Sequence, residues 1–221
     1  MNTTPPSKMT SRQEQASETK KKLMNSALQL FSSQGWAGTH TRDITHAAGV
    51  ADSLLYHYFP GGKRALLEAI LEEHTKEILQ EVNLQHERLE TLPLREALEE
   101  FYVTAEAIFI RHAKVLRIFL LEPKVREFVK ESGILRPLPE SRAWFPQFLR
   151  RKAEQGEIRE FDYEAATETL AAVLTSDLIL KVLGHKNTCC HDTAFRRRFL
   201  DYQLSLWQPL PNAAPDSAES S

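Results

Sequence analysis

The chain has 221 residues, of which 42% are hydrophobic and only 8 are glycine, with a formal net charge of −2. These values fit a soluble, mostly helical protein with a real core, built as one large domain or as a small head on a larger body. The near-neutral balance argues against a uniformly basic nucleic-acid binder, so the distribution of charge has to decide.

That distribution is uneven. Residues 1–64 hold eight Lys/Arg against four Asp/Glu, a formal +4, and the remainder carries −6. A basic front and an acidic rear suit a head that docks on phosphates and a body that does not. No apolar run approaches the ~20 residues needed to span a bilayer. The N-terminal MNTTPPSKMTSRQEQAS lacks the apolar core of a secretory signal. Both observations make the cytoplasm the expected location and give no membrane partner. The two cysteines, Cys189 and Cys190, are adjacent and provide no disulfide framework.

In chain order, residues 1–16 are polar and proline-containing and read as a disordered arm. A first helix is predicted from about Ser17 to Gln34, with Leu23, Ala27, Leu30 and Phe31 forming an amphipathic stripe. Lys20, Lys21 and Lys22 at its start face solvent or a phosphate. Gly35-Trp36-Ala37-Gly38 ends the helix, with Trp36 as a core plug.

Two short helices follow. Thr41 is placed to cap the first, and Asp43 puts negative charge in its first turn, where the helix dipole favours it. Gly49 sits where the chain must reverse. Val50, Leu55 and Phe59 anchor the second helix inward, leaving Asp52, Ser53, Leu54, Tyr56, His57 and Tyr58 for another surface. Two short helices joined by a glycine turn read as a helix-turn-helix, whose second helix enters the DNA major groove. The polar residues then divide by role. Lys63 and Arg42 are expected to neutralise phosphates, Thr41 and Tyr56 to donate to phosphate oxygens, and His57 and Tyr58 to add backbone contacts. Asp52, Ser53 and Leu54 would read bases, with Asp52 accepting from a cytosine amino group and Leu54 packing on a thymine methyl.

Ala48-Gly49-Val50, Leu55-Tyr56-His57-Tyr58-Phe59 and Lys63-Arg64-Ala65-Leu66-Leu67, in register with the first helix, carry a resemblance. Over roughly residues 17–70 the chain resembles the DNA-binding domain of the tetracycline-repressor-like (TetR) family of bacterial transcription regulators. Three departures bear on operator choice. Ala51 stands where the family commonly has Ser or Thr, Asp52-Ser53 where it often has a basic residue and glycine, and one glycine of Gly61-Gly62 is extra. The resemblance implies an all-α fold, with an N-terminal three-helix DNA-binding domain and a C-terminal helical bundle for dimerisation and ligand binding. It also implies a regulator that is usually a repressor and usually responds to a small molecule. The division expected is 1–16 arm, 17–77 helix-turn-helix domain with the start of a linking helix, 78–208 body, and 209–221 tail.

Beyond Lys63 a long helix is predicted to about Leu84, buried through Leu66, Leu67, Ile70, Leu71 and Ile78, and broken near Thr91-Leu92-Pro93. Helical spacing resumes over 94–111 and 112–131, with Pro123 kinking or dividing the latter. Ser141 is placed to cap a helix that carries Trp144, Phe145, Phe148 and Leu149 and stops at Gly156. Most of these aromatics read as bundle core. A sharper reading is a cavity for a small apolar or aromatic effector, lined by Phe101, Tyr102, Phe109, His112, Arg117, Phe119, Trp144 and Phe148.

Of the last two predicted helices, the one from Asp162 through Leu183 is small-sided and apolar, and the one from about Thr193 to Leu206 carries Phe195, Phe199, Tyr202 and Leu206, with Trp207 following. Residues 162–207 therefore suit a two-fold interface, which the resemblance also places there. A homodimer would set two reading helices about 34–36 Å apart, matching a near-palindromic operator in double-stranded DNA.

Enzyme readings are weak, since no Gly-rich phosphate loop, nucleophile elbow or His-Glu-x-x-His zinc motif appears. No cofactor is expected. His74, with Glu72, Glu73 and Glu77, reads as an exposed charged helix face. Shared tetrahedral ligation by Cys189 and Cys190 with His185 and His191 needs a loop, and no metal site is assigned. The alternative to a ligand-controlled regulator is a DNA-binding architectural or interaction protein with no small effector.

Overall fold

The computed structural model describes residues 11–138, 143–185 and 192–208. Ser141, Cys189, Cys190 and His191 therefore lie outside the described residues. Helices α1 (Ser11–Gln34), α2 (Thr41–Ala48), α3 (Asp52–Tyr58), α4 (Lys63–Glu90), α5 (Leu94–Arg111) and α6 (Ala113–Leu121) come first. They are followed by α7 (Pro123–Ser132), α8 (Trp144–Glu154), α9 (Tyr163–Val182) and α10 (Thr193–Trp207). Among the described residues there is no strand, so the all-α expectation holds.

The chain forms two compact units. The first takes the residues up to Glu77 together with His112–Arg136, and the second takes Ile78–Arg111 together with Pro137 onward. The return of residues 112–136 to the first unit departs from the sequence division, which kept them in the body. The reason is packing. Val115, Ile118, Val125 and Val129 share one core with Leu23, Ala27 and Phe31 of α1, Ile44 of α2, Leu55 of α3 and Leu66, Leu67, Ile70 and Leu71 of α4. The amphipathic spacing of α6 and α7 specifies a buried face but not the partner that buries it.

Two element boundaries also differ. Helix α1 begins at Ser11, so residues 11–16 are helical and not part of a disordered arm. Arg12, Gln13, Glu14, Gln15 and Ala16 are good helix formers with Glu14 in the first turn, but they bury nothing and give no hydrophobic period. Pro123 divides its stretch outright. It occupies the first turn of α7, where its missing N–H costs nothing, and Glu122 separates the two helices.

His74 is also placed differently from the exposed acidic face read in the sequence. Its imidazole is turned inward, 2.8 Å from that of buried His112.

In the second unit α5, α8, α9 and α10 enclose Leu98, Tyr102, Phe148, Leu149, Leu170 and Leu200. Lys152, like Asp177, is a charged side chain buried in this unit. Lys152 Nζ donates to the carbonyl of Leu92 at 2.6 Å and to Glu157 Oε1 at 2.9 Å, while Glu157 Oε2 accepts from the Leu94 N–H at 2.7 Å. One carboxylate thus satisfies both a buried ammonium and an orphan donor at the start of α5. Burial opposes ionisation of Glu157, but the Leu94 N–H and Lys152 outweigh it and hold the carboxyl below its ordinary value. Among the described residues no helix is long and apolar enough to cross a membrane.

Candidate nucleic-acid interface

Helix α2 is capped by His40, not by Thr41. His40 is the extended residue before the helix, and its N–H donates to the Asp43 carboxylate at 3.0 Å. Thr41 occupies the first helical position, so its hydroxyl is left to face outward, 3.3 Å from the Tyr56 hydroxyl. Asp43 thus fulfils its expected place in the first turn and binds the cap as well.

The turn between α2 and α3 is built on Gly49, which adopts φ +66°. Its N–H reaches the carbonyl of His46, and the Val50 N–H reaches that of Thr45 at 3.0 Å. A Cβ here would meet nothing within 4 Å, so glycine is needed for its backbone conformation alone. Leu55 and Phe59, four residues apart, turn inward and are buried. Ser53, Tyr56 and His57, spaced i, i+3 and i+4, therefore share the opposite face and are exposed. Leu54 and Tyr58 flank this face and are half-buried. The His57 ring meets the edge of Tyr58 at a centroid distance of 4.9 Å, and the Lys20 ammonium stands 5.8 Å from the Tyr58 ring.

Arg42, with its side chain 89% exposed, projects from α2 onto the same surface. Asp52 is tied down. Its Oδ1 accepts from the buried Thr45 hydroxyl, and its Oδ2 lies 3.6 Å from the Arg42 guanidinium. The carboxylate expected to read a base thus clasps α2 to α3 and neutralises the neighbouring cation.

Lys63 has an internal role in this geometry. Its Nζ donates to the carbonyls of Trp36 and Thr39 at 2.7 and 2.9 Å and sits 4.4 Å from the Trp36 ring centroid. Burial lowers the pKa of this ammonium, and the charge of Glu122 works against that shift. Glu122 itself accepts from the Trp36 N–H at 3.0 Å. Lys63 and Glu122 thereby hold the loop that delivers α2. Lys63 can offer a charge to a phosphate only by releasing carbonyls. Sequence reasoning missed His40, Thr45 and Glu122. Thr45, seven residues before Asp52 across a glycine turn, was the one legible signal.

The effector candidates divide between the two units. His112, Arg117 and Phe119 belong to the first unit, and Phe101, Tyr102, Phe109, Trp144 and Phe148 to the second. Within the second unit Phe101 lies against Tyr102 and Phe145, and Trp144 stacks on Phe148 at 4.9 Å and on His86 at 3.9 Å. The Tyr102 hydroxyl donates to the carbonyl of Leu170 at 3.1 Å. These contacts are those of a packed aromatic core, the plainer of the two readings.

A short two-helix reader on a glycine turn, supported by a third helix, defines a helix-turn-helix protein. The profile of the bacterial regulatory proteins of the tetR family matches residues 23–70. The chain is 38% identical over 56 residues to the HTH-type transcriptional regulator LmrA of Bacillus subtilis, covering 25% of this chain and 30% of that protein. It is 27% identical over 143 residues to the HTH-type transcriptional repressor NicS of Pseudomonas putida, covering 59% of this chain and 66% of that one. The matches thus span less than two-thirds of either relative's length. Among solved structures, the ketosteroid transcriptional regulator KstR2 of Mycobacterium tuberculosis superposes with a TM-score of 0.64 at 17% identity, over 92% of this chain and 98% of that one. Residues 23–70 thus carry a DNA-binding domain of the tetR family type, and the fold of the whole chain is that of the solved regulator it superposes on.

Proposed function

We propose that the protein is a homodimeric repressor that binds a near-palindromic operator and is released from it by a small apolar or aromatic molecule. The observation that carries the DNA-binding half is the shared exposed face of Ser53, Tyr56 and His57, continued across α2 by Thr41 and Arg42. On duplex DNA Arg42 leaves Asp52 for a phosphate, and Thr41 and Tyr56 donate to phosphate oxygens. Asp52 Oδ2, freed from Arg42, then accepts from a base amino group, with Ser53 and Leu54 beside it at the groove. His57 and Tyr58 add backbone contacts, and Lys63 acts chiefly by holding the α1–α2 loop in place.

Exposed apolar side chains support the homodimer. Leu180, Leu183, Tyr202 and Leu206, all between residues 162 and 207, are 39–61% exposed. Large exposed apolar groups of this kind are stabilised by a second surface. The effector half of the proposal rests on the family resemblance, since the rings of Phe101, Tyr102 and Trp144 pack against one another and their neighbours. NicS, by its name a repressor, supports the sign of regulation.

The test pairs two readings on one compound panel: thermal stability and binding to a duplex selected from a random pool. An effector raises the melting temperature and weakens operator binding together. A protein that binds its selected duplex tightly, and from which no apolar ring compound releases it, is instead an architectural DNA-binding protein.

A further inference from the structure

Outside the reading surface, one cluster has a donor set and spacing that nothing in the proposed function uses. His74 and Glu77 stand three residues apart on α4 and so share a face. His112 precedes α6 and is 1% exposed. The His74 Nδ1 lies 2.8 Å from the His112 Nδ1 and 3.5 Å from Glu77 Oε2, and one ligand atom from each residue falls within 4.8 Å of the others. All three residues belong to the first unit.

We propose that His74, Glu77 and His112 bind a divalent transition-metal cation, with Zn2+ as the reference ion. Two imidazole nitrogens and one carboxylate oxygen form the three-ligand set that leaves a zinc ion one open position. The same set disfavours Ca2+ and Mg2+, which require oxygen ligands. Tetrahedral ligands at 2.0–2.1 Å from zinc stand about 3.3 Å apart. The two nitrogens therefore need to separate by about half an ångström, and the Glu77 oxygen needs only a side-chain rotation. That rotation is available because the Glu77 side chain is 48% exposed, whereas His74 is 21% exposed. The fourth position opens on the Glu77 side, where water completes the shell and the ion can exchange.

In the metal-free protein one imidazole N–H donates to the other ring. When the cation takes both Nδ1 atoms, the donating ring carries its proton on Nε2 instead, so both imidazoles ligate as neutral groups. Occupancy pins α4 at His74 to the start of α6, inside the unit that carries α2 and α3. The metal thus stabilises the DNA-binding unit, independently of any organic effector.

Untagged full-length protein, stripped with chelator, is titrated with Co2+ as a spectroscopic probe and then with Zn2+. The expected result is one Co2+ per chain, with visible ligand-field absorption, no thiolate charge-transfer band, displacement by Zn2+ and a rise in melting temperature. Glu77→Gln and His74→Ala each weaken binding by about tenfold or more, with helicity by circular dichroism confirming that both variants fold. The double variant Cys189→Ser, Cys190→Ser binds as the parent does. Absence of Co2+ binding, equal binding by Glu77→Gln combined with His74→Ala, or loss of binding in the cysteine variant overturns the site. In the first case the contact is a histidine–histidine hydrogen bond and nothing more.

Discussion

The buried hydroxyl of Thr45 donates to the carboxylate of Asp52 across the glycine turn, so the residue that opens the reading helix is fastened to the helix before it. Its other oxygen faces Arg42. Asp52→Asn keeps an acceptor for Thr45 but removes the charge that holds Arg42. Binding to random duplex at low salt is expected to tighten several-fold with little change in stability, because one more cation becomes available. If Asp52 also reads a base, operator binding gains less than random binding does. Equal tightening on both, measured by fluorescence anisotropy, shows that the carboxylate acts only through Arg42.

Arg42 and Lys63 are both cations of the head, and the structure separates them. Arg42→Ala is expected to leave the melting temperature unchanged and to lower the salt slope of DNA binding by about 1. Lys63→Ala leaves the Trp36 and Thr39 carbonyls without their donor and is expected to cost about 1–3 kcal/mol of stability. Denaturant titration beside salt-dependent anisotropy distinguishes the two effects. The reverse assignment contradicts the geometry.

The Lys152–Glu157 pair sets an acid limit for the second unit. The folded-state pKa of Glu157 is depressed, so its stabilisation is fully present above the unfolded carboxylate pKa and is lost as pH falls through the folded value. Melting temperature should therefore drop in the acid range in the parent, and less steeply in Glu157→Gln. At neutral pH the substitution leaves Lys152 buried beside a neutral partner and costs about 2–3 kcal/mol, discounted because Glu157 is partly exposed. A variant as stable as the parent at pH 7 counts against the pair.

Leu183→Glu combined with Leu206→Glu places charges among the exposed apolar groups of residues 162–207. Sedimentation is expected to report a monomer, and operator affinity to fall by more than tenfold as the two heads lose their linkage. A folded variant that stays dimeric places the interface elsewhere.

The sequence makes part of this legible, for physical reasons. Leu23, Ala27 and Phe31 recur at helical spacing, and Gly49 marks a conformation that other residues avoid, so the reader and its core can be drawn from local rules. The roles of Lys63, Asp52 and His74 cannot. Each is a charged or polar side chain whose partner lies far along the chain or across a turn, and spacing alone favours solvent or DNA. The return of Val115, Ile118, Val125 and Val129 to the core of the first unit is hidden for the same reason. Periodicity reveals that a face is buried, while its partner depends on long-range packing.

The face carrying Ser53, Tyr56 and His57 is expected to read duplex sequence. The most direct measurement is the affinity of the full-length protein for a duplex selected from a random pool and for its scrambled counterpart, across a series of salt concentrations. A preference of about 10³ or more for the selected duplex is expected at physiological salt, lost in Ser53→Ala combined with Tyr56→Ala while the fold persists. Equal affinity for both duplexes, or a preference that survives the double substitution, contradicts it.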